Sequence, residues 1–152
     1  MKKNANKGFS LVELIIVIAI MAVLIGVLAP QFIKQVEKSR ESTDLQNIEE
    51  IKTATETFVA DYAEKIPSTT TSFTVTVDRT NKVIKGNAKT GDAATDKNLT
   101  EYGVPSDGYA LKSGKWTADI VWTYNLTGDN AYQWVLTTDG SATYFNAEGE
   151  PQ

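Results

Sequence analysis

The chain has no cysteine and no histidine in its 152 residues. Without cysteine no disulfide can form, so whatever folds here holds together by packing. Without histidine the commonest general acid or base and the commonest metal ligand are both missing. Cys/His zinc sites and Ser-His-Asp catalysis are therefore excluded. A glycine-rich phosphate loop is also lacking, and no cofactor is expected. Cations are in the minority, with 15 Lys and Arg against 19 Asp and Glu. A mildly acidic chain argues against a nucleic-acid partner, since phosphate contacts need clustered Lys and Arg.

What is present is a long apolar run. From Leu14 to Ala29 no side chain is polar. Counted from Phe9, the segment is interrupted only by Ser10 and Glu13. As a helix, residues 9–29 would extend about 32 Å, matching a hydrocarbon core of about 30 Å. Glu13 does not fit a plain anchor. A carboxylate within an apolar span costs about 2.5–3.5 kcal/mol at mid-membrane, less near an end, and usually marks a functional contact.

A basic leader with Lys2, Lys3 and Lys7, then Gly8-Phe9-Ser10-Leu11-Val12-Glu13, then about twenty apolar residues, resembles the N-terminus of type IV pilins and pseudopilins. The resemblance covers residues 1–30. It implies cleavage between Gly8 and Phe9 by a prepilin peptidase, N-methylation of Phe9, and a part for Phe9 and Glu13 in subunit assembly. Pro30 matches the family's usual helix bend, and Gly26 loosens the helix one turn earlier. The resemblance further implies a leader in the cytoplasm and a head outside the cell. The lysine count alone leaves orientation open, because Lys34, Lys38 and Arg40 follow the run closely. Many pilins close a C-terminal loop with a disulfide, and this chain departs from that pattern.

Two ordinary readings stand beside that one. A secretory signal would have a shorter apolar region and a better cleavage site than Val27-Leu28-Ala29 before Pro30. An uncleaved signal anchor fits the hydropathy but leaves Gly8, Phe9, Ser10 and Glu13 unexplained together. Loss of the leader takes three lysines from the 15 basic residues. The remaining 12 face 19 acids, a formal charge of −7.

Beyond Pro30, Leu45, Ile48, Ile51, Thr55, Phe58 and Tyr62 recur at helical steps. Glu37, Lys38, Arg40, Glu41, Asp44, Glu49, Glu50, Lys52 and Glu56 are assigned to a wet face. One helix is expected from Phe9 to about Glu64, with a kink at Pro30 and an end before Pro67. Its length, about 84 Å if straight, suits a helix half in lipid and half under a head.

Strand signals follow. Phe73, Val75 and Val77 alternate with threonines, Asp78–Asn81 reads as a turn, and Lys82–Lys85 returns. Residues 86–108 are rich in glycine and polar residues, with a short helix near Thr95–Tyr102. Tyr109–Lys112 reads as a short strand. A longer one is expected through Trp116, Ala118, Ile120, Trp122 and Tyr124. Gly128-Asp129-Asn130 is a turn, and Tyr132, Trp134 and Leu136 alternate again. Asp139-Gly140 signals a hairpin before a last strand at Thr143–Phe145. Short connections predict an antiparallel meander covering the Leu45–Tyr62 stripe.

The expected fold is thus α+β, a long N-terminal helix on a C-terminal antiparallel sheet. Its parts are a leader (1–8), an apolar membrane and assembly helix (9–30), an amphipathic half (31–65) and a β-rich head (66–152). Trp116, Trp122 and Trp134 read as sheet core, with a stacking platform for ligands as the alternative. Asp92, Asp96, Asp107, Asp129 and Asp139 read as turn formers rather than a calcium loop. Asn98 and Asn125 match the glycosylation triplet and are assigned no function.

The resemblance implies a structural subunit of an extracellular filament, held in the membrane before assembly, and not an enzyme. Its partners would be identical or related subunits, the peptidase, the assembly machinery and membrane lipid. Within the family the alternative is a pseudopilin of a type II secretion or DNA-uptake machine. From another class it is a single-pass anchored binding module.

Overall fold

The structure, a computed structural model, describes residues 9–90, 97–116 and 118–137. The chain divides into two units, Met1–Lys38 and Ser39–Gln152. Helix α1, Leu11–Tyr62, contributes to both.

In the first unit α1 starts where Ser10 caps it and runs on through Pro30. Pro30 has no N–H, so the Gly26 carbonyl lacks its intrahelical donor. Leu11, Ile15, Ile18, Val23, Leu28 and Ile33 are all exposed along this half. Such a length of uncovered apolar surface is not a stable end state in water.

The second unit is the head. Here α1 lies on a five-stranded antiparallel sheet. Its strands are β1 (Ser72–Asp78), β2 (Val83–Gly86), β3 (Tyr109–Ala110), β4 (Ile120–Asn125) and β5 (Trp134–Thr137). Alternation decides which face is dry. Phe73, Val75 and Val77 of β1 and Ile120, Trp122 and Tyr124 of β4 are buried, and the residues between them are half-buried. Register brings the dry residues together, with Phe73 opposite Tyr124 and Val75 opposite Trp122. From the helix, Ile48, Ile51, Phe58 and Val59 fill the other side. Phe58 meets Phe73 edge-on with ring centroids 5.9 Å apart. A 3-10 turn at Leu99–Tyr102 adds buried Leu99 to this core, and Asn98 caps it by accepting from the Thr100 amide.

Four expectations are corrected. The sheet order is β3-β2-β1-β4-β5, so the chain does not simply meander. After β3 it returns past β2 and β1, and β4 pairs with β1. Trp116 and Ala118 precede the strand, which starts at Ile120; Trp116 is buried from a loop. Tyr132 lies outside β5, exposed and with φ of 61°, because a turn at Gly128–Asn130 leads into it. Asp44, placed on the wet face by its residue type, is fully buried. The helix ends at Tyr62, where the Lys65 and Ile66 amides both donate to the Tyr62 carbonyl. The expected Asp139-Gly140 hairpin and Thr143–Phe145 strand lie outside the described residues.

Candidate functional site

The N-terminal segment carries the motif, and its geometry begins with backbone donors. The first turn of any helix has amides without internal acceptors. Ser10 is the cap of α1, and the Val12 amide donates to its Oγ at 3.3 Å. Glu13 sits three residues on, and the Ser10 amide donates to its Oε2 at 2.9 Å. This reciprocal arrangement is a capping box in which the N2 amide takes the place of the N3 amide. The carboxylate also lies at the positive end of the helix dipole. Ser-x-x-Glu before an apolar run is legible in sequence; reading Glu13 as a costly membrane acid with a part in assembly missed its capping role. One carboxylate oxygen is thus engaged at the helix start. Phe9 stands just ahead of the cap with 85% of its surface exposed. Gly8 lies outside the described residues.

Gly26 has nothing within 4 Å of where a Cβ would stand. The first unit itself therefore imposes no steric need for glycine there.

In the head a second polar centre forms around Asp44. Its carboxylate accepts from the Lys112 amide at 2.9 Å, the Ser113 amide at 2.7 Å and the Trp116 indole at 3.0 Å. Beside it the Lys115 ammonium pairs with Glu41 at 3.0 Å. A buried carboxylate persists only when its lone pairs are used, and here backbone and indole donors use them. The centre ties the loop after β3 to the helix.

The tryptophans are not an open platform. Trp116 and Trp122 are buried. Lys52 places its ammonium 5.1 Å from the Trp122 ring and 5.9 Å from that of Trp134. Tyr124 tilts against Trp134 at 5.0 Å, and the Trp134 indole donates to Glu56. These are cation–π and ring contacts internal to the head. Asp107 and Asp129 are exposed and lie apart in sequence and in different connections; Asp92, Asp96 and Asp139 lie outside the described residues. Asn125 ends β4 and Asn98 is the cap already described.

One comparison with known proteins falls on the same segment. Residues 3–29 match the family model described as the prokaryotic N-terminal methylation motif. Prepilin peptidase-dependent protein A of Clostridium perfringens is 32% identical over 108 residues, covering 70% of this chain and 76% of that protein. Type IV major fimbrial protein FimA of Dichelobacter nodosus is 37% identical over 62 residues, 41% of this chain and 40% of that protein. Type IV major pilin protein PilA of Myxococcus xanthus is 38% identical over 56 residues, 37% of this chain and 26% of that protein. No solved structure matches the chain.

Proposed function

Because the chain belongs to the type IV pilin and pseudopilin family, whose members are structural subunits, we propose the following course for it. A prepilin peptidase cuts between Gly8 and Phe9, and Phe9 is N-methylated. Residues 9–30 hold the subunit in the membrane, leader inside and head outside. The assembly machinery then moves the subunit from lipid into a filament of like subunits. The protein acts by assembling and has no catalytic role.

The observation that carries this reading is the exposed apolar surface from Leu11 to Ile33, interrupted only by Glu13 near its start and Gln31 near its end. Lipid covers such a surface before assembly, and neighbouring helices cover it afterwards. The Gly26–Pro30 stretch, short of one backbone bond, is where the helix gives most easily when its surroundings change.

Glu13 then has two jobs. Its Oε2 caps its own helix through the Ser10 amide, which survives removal of the leader because the Phe9–Ser10 bond is untouched. Its Oε1 serves to pair with a neighbouring subunit. Cleavage gives Phe9 a free amine with a reference pKa of about 7.7–8.0, largely cationic at neutral pH. Among packed apolar helices, leaving either charge unpaired is strongly unfavourable, so pairing selects the axial offset between subunits.

Two substitutions separate these jobs. Glu13→Gln keeps a capping-box acceptor but loses the charge, whereas Glu13→Leu loses both. Both chains are expected to be inserted and cleaved, and both to enter sheared filaments poorly when expressed alone. Normal incorporation of Glu13→Gln would reduce Glu13 to a cap and overturn the pairing. Gly8→Val tests the first step: a full-length membrane precursor is expected by N-terminal sequencing and mass, with no filaments.

A further inference from the structure

The head carries its opposite charges on different elements. Residues 41–62, in the head part of α1, hold six acids and one cation, Lys52. Residues 79–90, the turn after β1, the strand β2 and the four residues after it, hold four cations and no acid. On the helix, Gln46, Glu49, Glu50, Thr53 and Thr57 line an open groove of about 500 Å³ with Tyr102. Internal bonds do not cancel the helix charge. Lys115 offsets Glu41 and Lys52 offsets Glu49. Glu50, Glu56 and Asp61 instead accept from Tyr109, Trp134 and Tyr102, neutral donors that leave the carboxylate charge in place.

On the other element, Arg79, Lys82, Lys85 and Lys89 are all exposed. Lys85 points away from the core because Ile84 beside it is buried. The Leu111 amide donates to the Lys82 carbonyl at 2.9 Å, which brings exposed Lys112 to the same edge. Asp78 and Asp119 lie nearby, but their carboxylates are bonded to Asn81 and to the Arg79 amide. The edge remains positive by count, with five cations against these two acids.

We propose that the β1–β2 turn and β2 of one head dock on the acidic groove of α1 in a second copy of this chain. The two patches are different surfaces of one molecule, so the contact is heterologous. Such a contact repeats head to tail and gives open helical arrays instead of closed pairs. It also gives the head a means of choosing its neighbour, a task electrostatic complementarity performs well. This inference rests on the reading of the chain as a filament subunit and adds the surfaces through which the heads meet.

Charge exchange in the full chain tests it. One variant carries Gln46→Lys with Glu49→Lys, which leaves the Glu50–Tyr109 bond intact. Another carries Lys82→Glu with Lys85→Glu. A third carries all four substitutions. Each is expressed as the sole copy of the chain in its host, membrane levels are matched, and sheared filaments are quantified. Either pair alone sets like charges against each other at every contact, and filament yield is expected to fall about tenfold. The four-substitution chain restores opposite charges and is expected to recover to within about twofold of wild type. Recovery cannot arise from misfolding, since it adds substitutions to chains already impaired. Any other pattern among the variants overturns the docking proposal. Absence of filaments from the wild-type chain would instead sink the subunit reading, a result distinct from all of these.

Discussion

Asp44 shows how a single side chain can organise a segment that the residue pattern alone misplaces. It stands four residues before Ile48 and seven before Ile51, and so continues the buried stripe of α1 by one turn. Period placed it inside, and only its residue type argued for solvent. What makes burial tolerable is non-local: the Lys112 and Ser113 amides and the Trp116 indole, about seventy residues away in sequence. Nothing near Asp44 announces those donors, whereas Ile48, Ile51 and Phe58 need no partner to be recognised as core. Hydrogen bonds to a charged group contribute about 1.5–3 kcal/mol each, and their donors would be left buried and unpaired without it. Asp44→Ala is expected to cost about 3–5 kcal/mol, a large part of a total of about 5–15. Asp44→Asn, with one oxygen in place of two, is expected to fall between. Urea midpoints of the detergent-solubilised chain, followed by tryptophan fluorescence, measure both. An Ala variant as stable as wild type would mean the loop is held by other contacts.

At the scale of elements, alternation made β1 and the core of β4 legible, and helical spacing made α1 legible. Connectivity was not. No local pattern states that the chain passes β2 and β1 before β4 pairs, since the segment 111–116 has no period of its own and takes its path from Asp44 and Glu41. The glycines that let elements approach are equally silent in sequence. A Cβ on Gly86 of β2 would stand 2.5 Å from Ile51 Cγ2 and Leu99 Cδ1, so strand, helix and 3-10 turn meet there. At Gly108, φ is +80° and a Cβ would stand 2.3 Å from the Ile84 carbonyl oxygen. Side-chain ends can shift and a strand carbonyl cannot. Gly86→Ala is therefore expected to cost about 1–3 kcal/mol as overpacking. Gly108→Ala adds a left-handed backbone penalty of about 1–2 kcal/mol to a harder clash. Gly128, at φ +87° with nothing within 4 Å, suffers only the backbone penalty. Melting temperatures should thus place Gly108→Ala well below both other variants. Equal losses at Gly108 and Gly128 would show that the strand opens to admit the methyl group.

For the molecule as a whole, the absence of cysteine leaves the head's closure to packing and to a small set of long-range polar links. Three of these join tyrosines to carboxylates between α1 and the 97–110 region: Tyr62 to Glu101, Tyr102 to Asp61 and Tyr109 to Glu50. In each the phenol donates, so the link exists only while the tyrosine keeps its proton. Burial first, then the bond to Glu50 and its charge, push Tyr109 up to about 12. Burial and the bond to Asp61 also push Tyr102 upward from its ordinary value. An unfolded tyrosine releases its proton near pH 10. Below pH 10 both states hold the proton and the links contribute in full. Between about pH 10 and 12 the unfolded chain binds fewer protons than the folded one, so stability falls as pH rises. The wild-type urea midpoint is therefore expected to be level from pH 8 to about 9.5 and to drop steeply above pH 10. Tyr102→Phe with Tyr109→Phe removes these two titrating groups, while Tyr62, raised by its bond to Glu101, and Tyr124, raised by burial, remain. That variant should be less stable at pH 8, where it lacks two hydrogen bonds, and its midpoint should decline less between pH 10 and 12. The crossing of slopes is the informative feature, because simple loss of packing would lower the midpoint equally at every pH. An alkaline slope identical to that of wild type would remove these links from the account and leave the apolar core and the Asp44 centre to close a head that has no covalent crosslink.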